Sequence, residues 1–132
     1  MKKVIVILLT LFFMFAILSC ATEPETAAEG EYKRISAEEA KEMMDEEDVI
    51  VIDVRTEEEF EEIRIEGALL IPDYEIEELA EEKLPDKGAT ILIYCRTGRC
   101  SEDASRALIE MGYTSVYDFG GIEDWEYDII GE

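Results

Sequence analysis

The sequence predicts an α/β domain: a mostly parallel sheet with helices on both faces. Three observations predict it. From Tyr32 onward, short runs rich in β-branched residues alternate with helical patterns. The links between those runs are too long for hairpins, so parallel strands must be joined by crossovers. Two of the runs, "VIVIDV" (Val49 to Val54) and "ATILIYC" (Ala89 to Cys95), are almost continuously apolar, as strands covered on both faces are.

Each element has its own signal. "YKRIS" reads as a short strand. Ser36 and Glu39 form a capping box that opens a helix, whose apolar side is Ala37, Ala40, Met43 and Met44. "VIVIDV" is a buried strand. Thr56 and Glu59 make a second capping box, opening a short acidic helix through Phe60. "GALLIP" is a strand stopped by Pro72. Ile76, Leu79 and Ala80 mark one side of a helix ending before Pro85. "ATILIYC" delivers Cys95 at its C-terminal end. Ser101 is placed to cap the next helix, with Ala104, Ala107, Leu108 and Met111 inward and Gly112 as its stop. "SVYDFGG" is a strand and turn, and "IEDWEYDII" reads as a closing helix with Trp125 packed on the body.

The first 31 residues are a separate matter. "MKKVIVILLTLFFMFAILSC" starts with Lys2 and Lys3 and continues with an apolar run from Val4 to Leu18. That is the charged and apolar part of an export signal. The run is shorter than the roughly 20 residues a bilayer-spanning helix needs. It ends in "ILSC", which resembles a bacterial lipobox. On that resemblance residues 1–19 are a lipoprotein signal peptide and Cys20 is the lipidated new N-terminus. An uncleaved membrane anchor is the competing reading. Residues 20–31 then form the lipidated cysteine and a polar, Pro-containing flexible tether, and residues 32–132 form the domain. The expected location is outside the cytoplasm, lipid-anchored and facing the periplasm or cell exterior.

Composition excludes several functions. There are 34 acidic residues against 12 basic ones, a formal net charge of -22. Nucleic-acid binding rests on Lys and Arg meeting phosphates, so such a partner is not expected. The chain has no histidine. Ser-His-Asp and Cys-His catalysis and His-ligated zinc are therefore absent. The glutamate runs at Glu57–Glu59 and Glu75–Glu82 read as solvated helix faces without metal-site spacing. No cofactor or metal is implied. Oligomeric state is open, although so much like charge resists self-association.

The chemistry-bearing stretch is "YCRTGRCS", where a strand ends, a tight loop follows and a helix begins. Gly98 lets the backbone turn. Successive N–H groups in such a loop form an anion-binding nest, and a helix N-terminus adds a positive dipole end. Arg96 and Arg99 add positive charge in an acidic protein. A cysteine in that setting should be largely thiolate near neutral pH, with no histidine needed. Asp53 and Arg55 read as structural, with Arg55 tying the strand end to nearby acids or carbonyls.

Three segments together, "IDVRTEEEFEEIRIEGALLIP", "IYCRTGRCS" and "VYDFGGIEDW", resemble the rhodanese domain in order and spacing. The resemblance covers Tyr32 to about Ile130. It implies a central parallel five-stranded sheet and a sulfurtransferase. Cys95 would take a sulfane sulfur from a donor such as thiosulfate or polysulfide and pass it to a thiol or cyanide-like nucleophile. The loop Arg96, Thr97, Gly98, Arg99, Cys100 and Ser101 would bind the substrate anion. The partners so implied are a small sulfur-anion donor and a thiol acceptor, with the membrane reached through the anchor on Cys20. The chain departs from the family in having Ile63 and Arg64 where many members have Gly-His, and a cysteine at position 100. Cys100 is either inert, a resolving thiol for Cys95, or half of a structural disulfide. The alternative functions are a thiol-disulfide redox protein using Cys95 and Cys100, and a non-catalytic binding module on the same fold.

Overall fold

The computed structural model describes residues 30–131. The export signal, the lipidation of Cys20 and most of the tether lie outside the described residues.

Five parallel strands form the sheet: β1 (Lys33–Arg34), β2 (Ile50–Asp53), β4 (Leu69–Leu70), β5 (Thr90–Cys95) and β6 (Ser115–Gly121). Their order is β1-β6-β5-β2-β4, so the longest strands lie centrally. β3 (Ile63–Arg64) and β7 (Ile130–Gly131) make a separate antiparallel pair. Four α-helices connect the frame: α1 (Ala37–Glu46), α2 (Glu57–Glu62), α3 (Ile76–Lys83) and α4 (Arg99–Glu110).

The two apolar runs do what strands covered on both faces must. Along β5, Ile91, Ile93 and Cys95 face one core with Ala80 of α3 and Ala104 and Leu108 of α4. Leu92 and Tyr94 face the other core with Ala40 of α1, Phe119 and Trp125. Apolar burial on both sides of one sheet is the main favourable term holding it. Both expected capping boxes form, Ser36 with Glu39 and Thr56 with Glu59. Gly112, at φ 98°, ends α4, and the Tyr113 N–H reaches back to the Leu108 carbonyl at 3.1 Å.

Two expectations are corrected. "IEDWEYDII" is not a closing helix. Ile122–Asp124 is a single 3₁₀ turn, and the chain then extends to β7. The backbone of β3 offers that segment a partner, with Ile63 opposite Gly131 and Arg64 opposite Ile130. A short run ending in β-branched isoleucines has little helix propensity with which to compete. Trp125 is nonetheless buried, as expected. Ser101 is not a helix cap either. α4 starts at Arg99, and Gly98 precedes it in the left-handed region. That glycine tightens the loop and brings the helix forward, so Ser101 falls inside the first turn and is fully buried.

Asp53 and Arg55 are structural, as read from the sequence. Arg55 donates through Nη2 to Asp53 at 2.6 Å and to the Ile63 carbonyl at 2.6 Å, and its own backbone N–H also binds Asp53. Both side chains are almost wholly buried. The pair fastens the end of β2 to the start of β3.

Candidate functional site

The site lies at the C-terminal edge of the parallel sheet, where open α/β sheets place ligands. β5 ends in Cys95, which is 3% exposed. The chain turns at once and re-enters as α4, so the loop wraps back over the cysteine.

Three things shape that loop. Gly98 has φ 101°, a conformation residues with a Cβ rarely adopt. Its N–H donates to Cys95 Sγ at 2.9 Å. β6 makes room for the return of the chain. Its pairing with β5 shifts between Ile93–Asp118 and Cys95–Gly121, which leaves one extra residue on β6. Gly120 (φ 92°) and Gly121 sit at that bulge. A Cβ on Gly121 would lie 2.3 Å from the Arg96 carbonyl oxygen and 2.7 Å from the Thr97 Cα. The loop and β6 are therefore in backbone-to-backbone contact.

Beneath the sulfur lies a polar chain. Cys95 Sγ is 3.5 Å from Ser101 Oγ. The Ser101 hydroxyl donates to Asp118 Oδ1 at 2.8 Å, and the Gly120 N–H donates to the same oxygen at 2.9 Å. The other oxygen of Asp118 accepts from Arg34 Nη1 at 3.2 Å. Asp118 is completely buried, while the Arg34 side chain is 54% exposed. A carboxylate at full burial needs hydrogen-bond donors, and Asp118 has three.

The residues expected at the site are gathered by the structure to different degrees. Cys95, Gly98 and Ser101 are buried and in contact. Arg96, Thr97, Arg99 and Cys100 are exposed on the outside of the loop. Arg96 is not a free cation, because its Nε pairs with Glu123 at 3.2 Å. Cys95 and Cys100 are both free thiols, and no disulfide joins them. Desolvation at the loop, and then hydrogen bonding to and the charge of Asp73, push the Cys100 thiol above its ordinary value. Tyr94, beside the site in sequence, points to the opposite core. Burial first and the Asp53 charge second push its phenol far up, so it remains a neutral hydrogen-bonding group for the Ile65 N–H.

Sequence reasoning missed Arg34, Asp118, Gly120 and Gly121. Asp118 and the glycines stood inside the quoted "VYDFGG". An aspartate in the interior of a strand, where it is depleted, was the available signal. Arg34 had none, since it lies 84 positions from its partner.

A family model described as "Rhodanese-like domain" matches residues 36–128. The chain is 42% identical over 73 residues to "Thiosulfate sulfurtransferase PspE" of Escherichia coli, covering 55% of this chain and 70% of that protein. It is 35% identical over 96 residues to "Thiosulfate sulfurtransferase GlpE" of Coxiella burnetii, covering 72% of this chain and 88% of that one. Among solved structures, a "rhodanese with anions from E. coli" superposes with a TM-score of 0.61 at 36% identity, covering 64% of this chain and 100% of that chain. A Helicobacter pylori protein solved by NMR superposes at 0.63 with 33% identity, over 75% of this chain and 89% of that one.

Proposed function

We propose that this chain, which belongs to the rhodanese-like domain family and is a sulfurtransferase of rhodanese type, carries sulfane sulfur as a persulfide on Cys95. The observation that carries the proposal is the placement of Sγ. It sits at the end of β5, with the Gly98 N–H on it at 2.9 Å and the first turn of α4 directly beyond. A fixed N–H donor and a helix N-terminus both favour negative charge at that sulfur.

Thiosulfate is the donor that the names of its relatives favour. In the loading step, the Cys95 thiolate attacks the outer sulfur of thiosulfate. The Sγ–S bond forms, the bond to the sulfonate sulfur breaks, and its electron pair leaves with sulfite. The product persulfide keeps one negative charge on its terminal sulfur, within the loop. In the unloading step, an acceptor thiolate or cyanide attacks that terminal sulfur and Cys95 departs as thiolate. Polysulfide would load the same site by the same displacement. Exposed Arg99 lies beside the loop in an otherwise acidic surface, and offsets the repulsion an approaching dianion meets.

The redox reading, with Cys100 resolving Cys95, is less favoured. A resolving thiol acts as thiolate, and Cys100 is shifted toward its protonated form. The test is thiocyanate production from thiosulfate and cyanide by wild type, Cys95→Ser and Cys100→Ser. The proposal expects activity lost only in Cys95→Ser. Activity that survives Cys95→Ser contradicts it.

We further propose that residues 1–19 are removed and Cys20 is lipidated, which would present the domain outside the cytoplasm. The support is the "ILSC" sequence after the apolar run. Incorporation of labelled fatty acid that is lost in Cys20→Ser tests this, and unlabelled protein contradicts it.

A further inference from the structure

Asp118 and Arg34 have no place in the transfer steps above, yet they are joined to the reacting sulfur through one hydroxyl. We propose that Arg34 and Asp118 are positioning residues that set which way the Ser101 hydroxyl points, and through it how readily Cys95 gives up its proton. The proposal rests on Cys95 being the reacting group.

Consider the hydroxyl. It donates its proton to Asp118 Oδ1 at 2.8 Å, so toward Cys95 it presents a lone pair, with Sγ at 3.5 Å. That arrangement suits a thiol, which donates to Ser101 Oγ. It does not suit a thiolate or a persulfide, which has no proton to give. When the thiol proton leaves to solvent, the hydroxyl must swing from Asp118 to the sulfur to help hold the charge. Asp118 resists the swing in proportion to its pull on the hydroxyl proton. Arg34 reduces that pull, since its guanidinium shares the charge of the same carboxylate at 3.2 Å. The Gly120 N–H stays on Asp118 Oδ1 and satisfies it when the hydroxyl departs.

A second observation sets Arg34 against the loop itself. A Cβ built on Gly98 would lie 2.9 Å from Arg34 Nη2. The guanidinium thus packs on the residue whose N–H holds the sulfur. Both connections come from parallel pairing of β1 with β6, which places Arg34 opposite Asp118.

Other charges around the loop act without this hydroxyl. Arg96 is paired with Glu123, and Glu102 with Arg106. Cys100 is exposed, and desolvation first and Asp73 second push its thiol up. Arg99 and Asp103 are exposed. These groups set a background that the substitutions below leave in place.

The experiment uses the full chain in mild detergent. The rate at which iodoacetamide alkylates Cys95 is read on its own peptide by mass spectrometry, from about pH 5 to about pH 10. Arg34→Gln should move the midpoint of that profile up by about one pH unit, and Arg34→Lys should restore most of the shift. Asp118→Asn should move the midpoint down. In a Ser101→Ala background, the effect of either substitution should shrink by at least about half. Structural damage would not give opposite signs. Midpoints that move together, or stay put, overturn the proposal. So do shifts of full size without the hydroxyl, which would mean the charges act directly through space. Should Asp118→Asn fail to fold, the half-exposed Arg34 pair still gives the answer. Alkylation reads the thiol and not sulfur transfer. Wild type that fails to load sulfur therefore overturns the proposed function and leaves this result separate.

Discussion

Replacing Gly121 by alanine inserts one methyl group where β6 meets the back of the cysteine loop. Gly121 has φ −113°, so the backbone conformation itself admits any residue. The whole effect comes from contact. The new Cβ would sit 2.3 Å from the Arg96 carbonyl oxygen, where ordinary contact begins at 3.4 Å. Either the loop or β6 must give by about 1 Å, and backbone is on both sides. Overpacking of this kind costs about 1–3 kcal/mol. The displacement falls on Arg96 and Thr97, which link Cys95 to Gly98. A shift of that size would break the 2.9 Å contact from the Gly98 N–H to Sγ. Misplacement by about 1 Å at a reacting centre costs roughly 100-fold in rate. Sulfur loading from thiosulfate, followed by stopped-flow or quenched mass measurement, should fall by about that factor. The melting temperature should fall as well, by about 4–8 °C per kcal/mol for a domain of this size. Gly67→Ala is the comparison. Gly67, unlike Gly121, has a positive φ (80°), and a Cβ there meets nothing within 4 Å. It should lose about 1 kcal/mol from backbone strain and keep its loading rate. Wild-type loading by Gly121→Ala would refute the claim that this close approach places the loop.

Three more outcomes are expected. Arg55→Ala leaves Asp53 buried without its cation and frees the Ile63 carbonyl, so a loss of about 3–5 kcal/mol should appear in urea unfolding; a change below about 1 kcal/mol would contradict the buried pair. Asp73→Asn removes the carboxylate that most raises the Cys100 thiol, which should then alkylate roughly threefold faster at mildly alkaline pH, and an unchanged rate would show that desolvation alone restrains it. Glu39→Gln should destabilise the chain above the ordinary carboxylate range and not below it. The Ser36 N–H and hydroxyl hold the Glu39 carboxyl below its usual value, so its stabilisation is complete at neutral pH and is lost as pH falls through the folded value. Urea midpoints of the two proteins should converge in acid, and a gap that persists there would contradict this.

The parts of this fold legible in the sequence were those whose cause is local. Continuous apolar runs announced β2 and β5, and serine or threonine three residues before glutamate announced α1 and α2. Gly112 announced the end of α4. The start of α4 was misread for an equally local reason. Ser101 satisfies a capping rule, but Gly98 in the left-handed region already ends the loop, so the serine turns inward to Asp118. The end of the chain was misread because its partner, β3, is distant in sequence. The same distance hid Arg34. Only the pairing of the first strand with the sixth brings its guanidinium to Asp118. Cys95 could be named from its strand, loop and helix, while the groups beneath it belong to a different strand.

Intact-protein mass spectrometry reads sulfur carriage by Cys95 without an acceptor or a coupled assay. The protein would be reduced, exposed to thiosulfate, freed of excess reagent and weighed, beside Cys95→Ser and Cys100→Ser. A gain of one sulfur atom is expected in wild type and Cys100→Ser, and none in Cys95→Ser. A loss of two hydrogens without sulfur gain, abolished in either variant, would contradict sulfur carriage by Cys95 and make the two cysteines a redox pair.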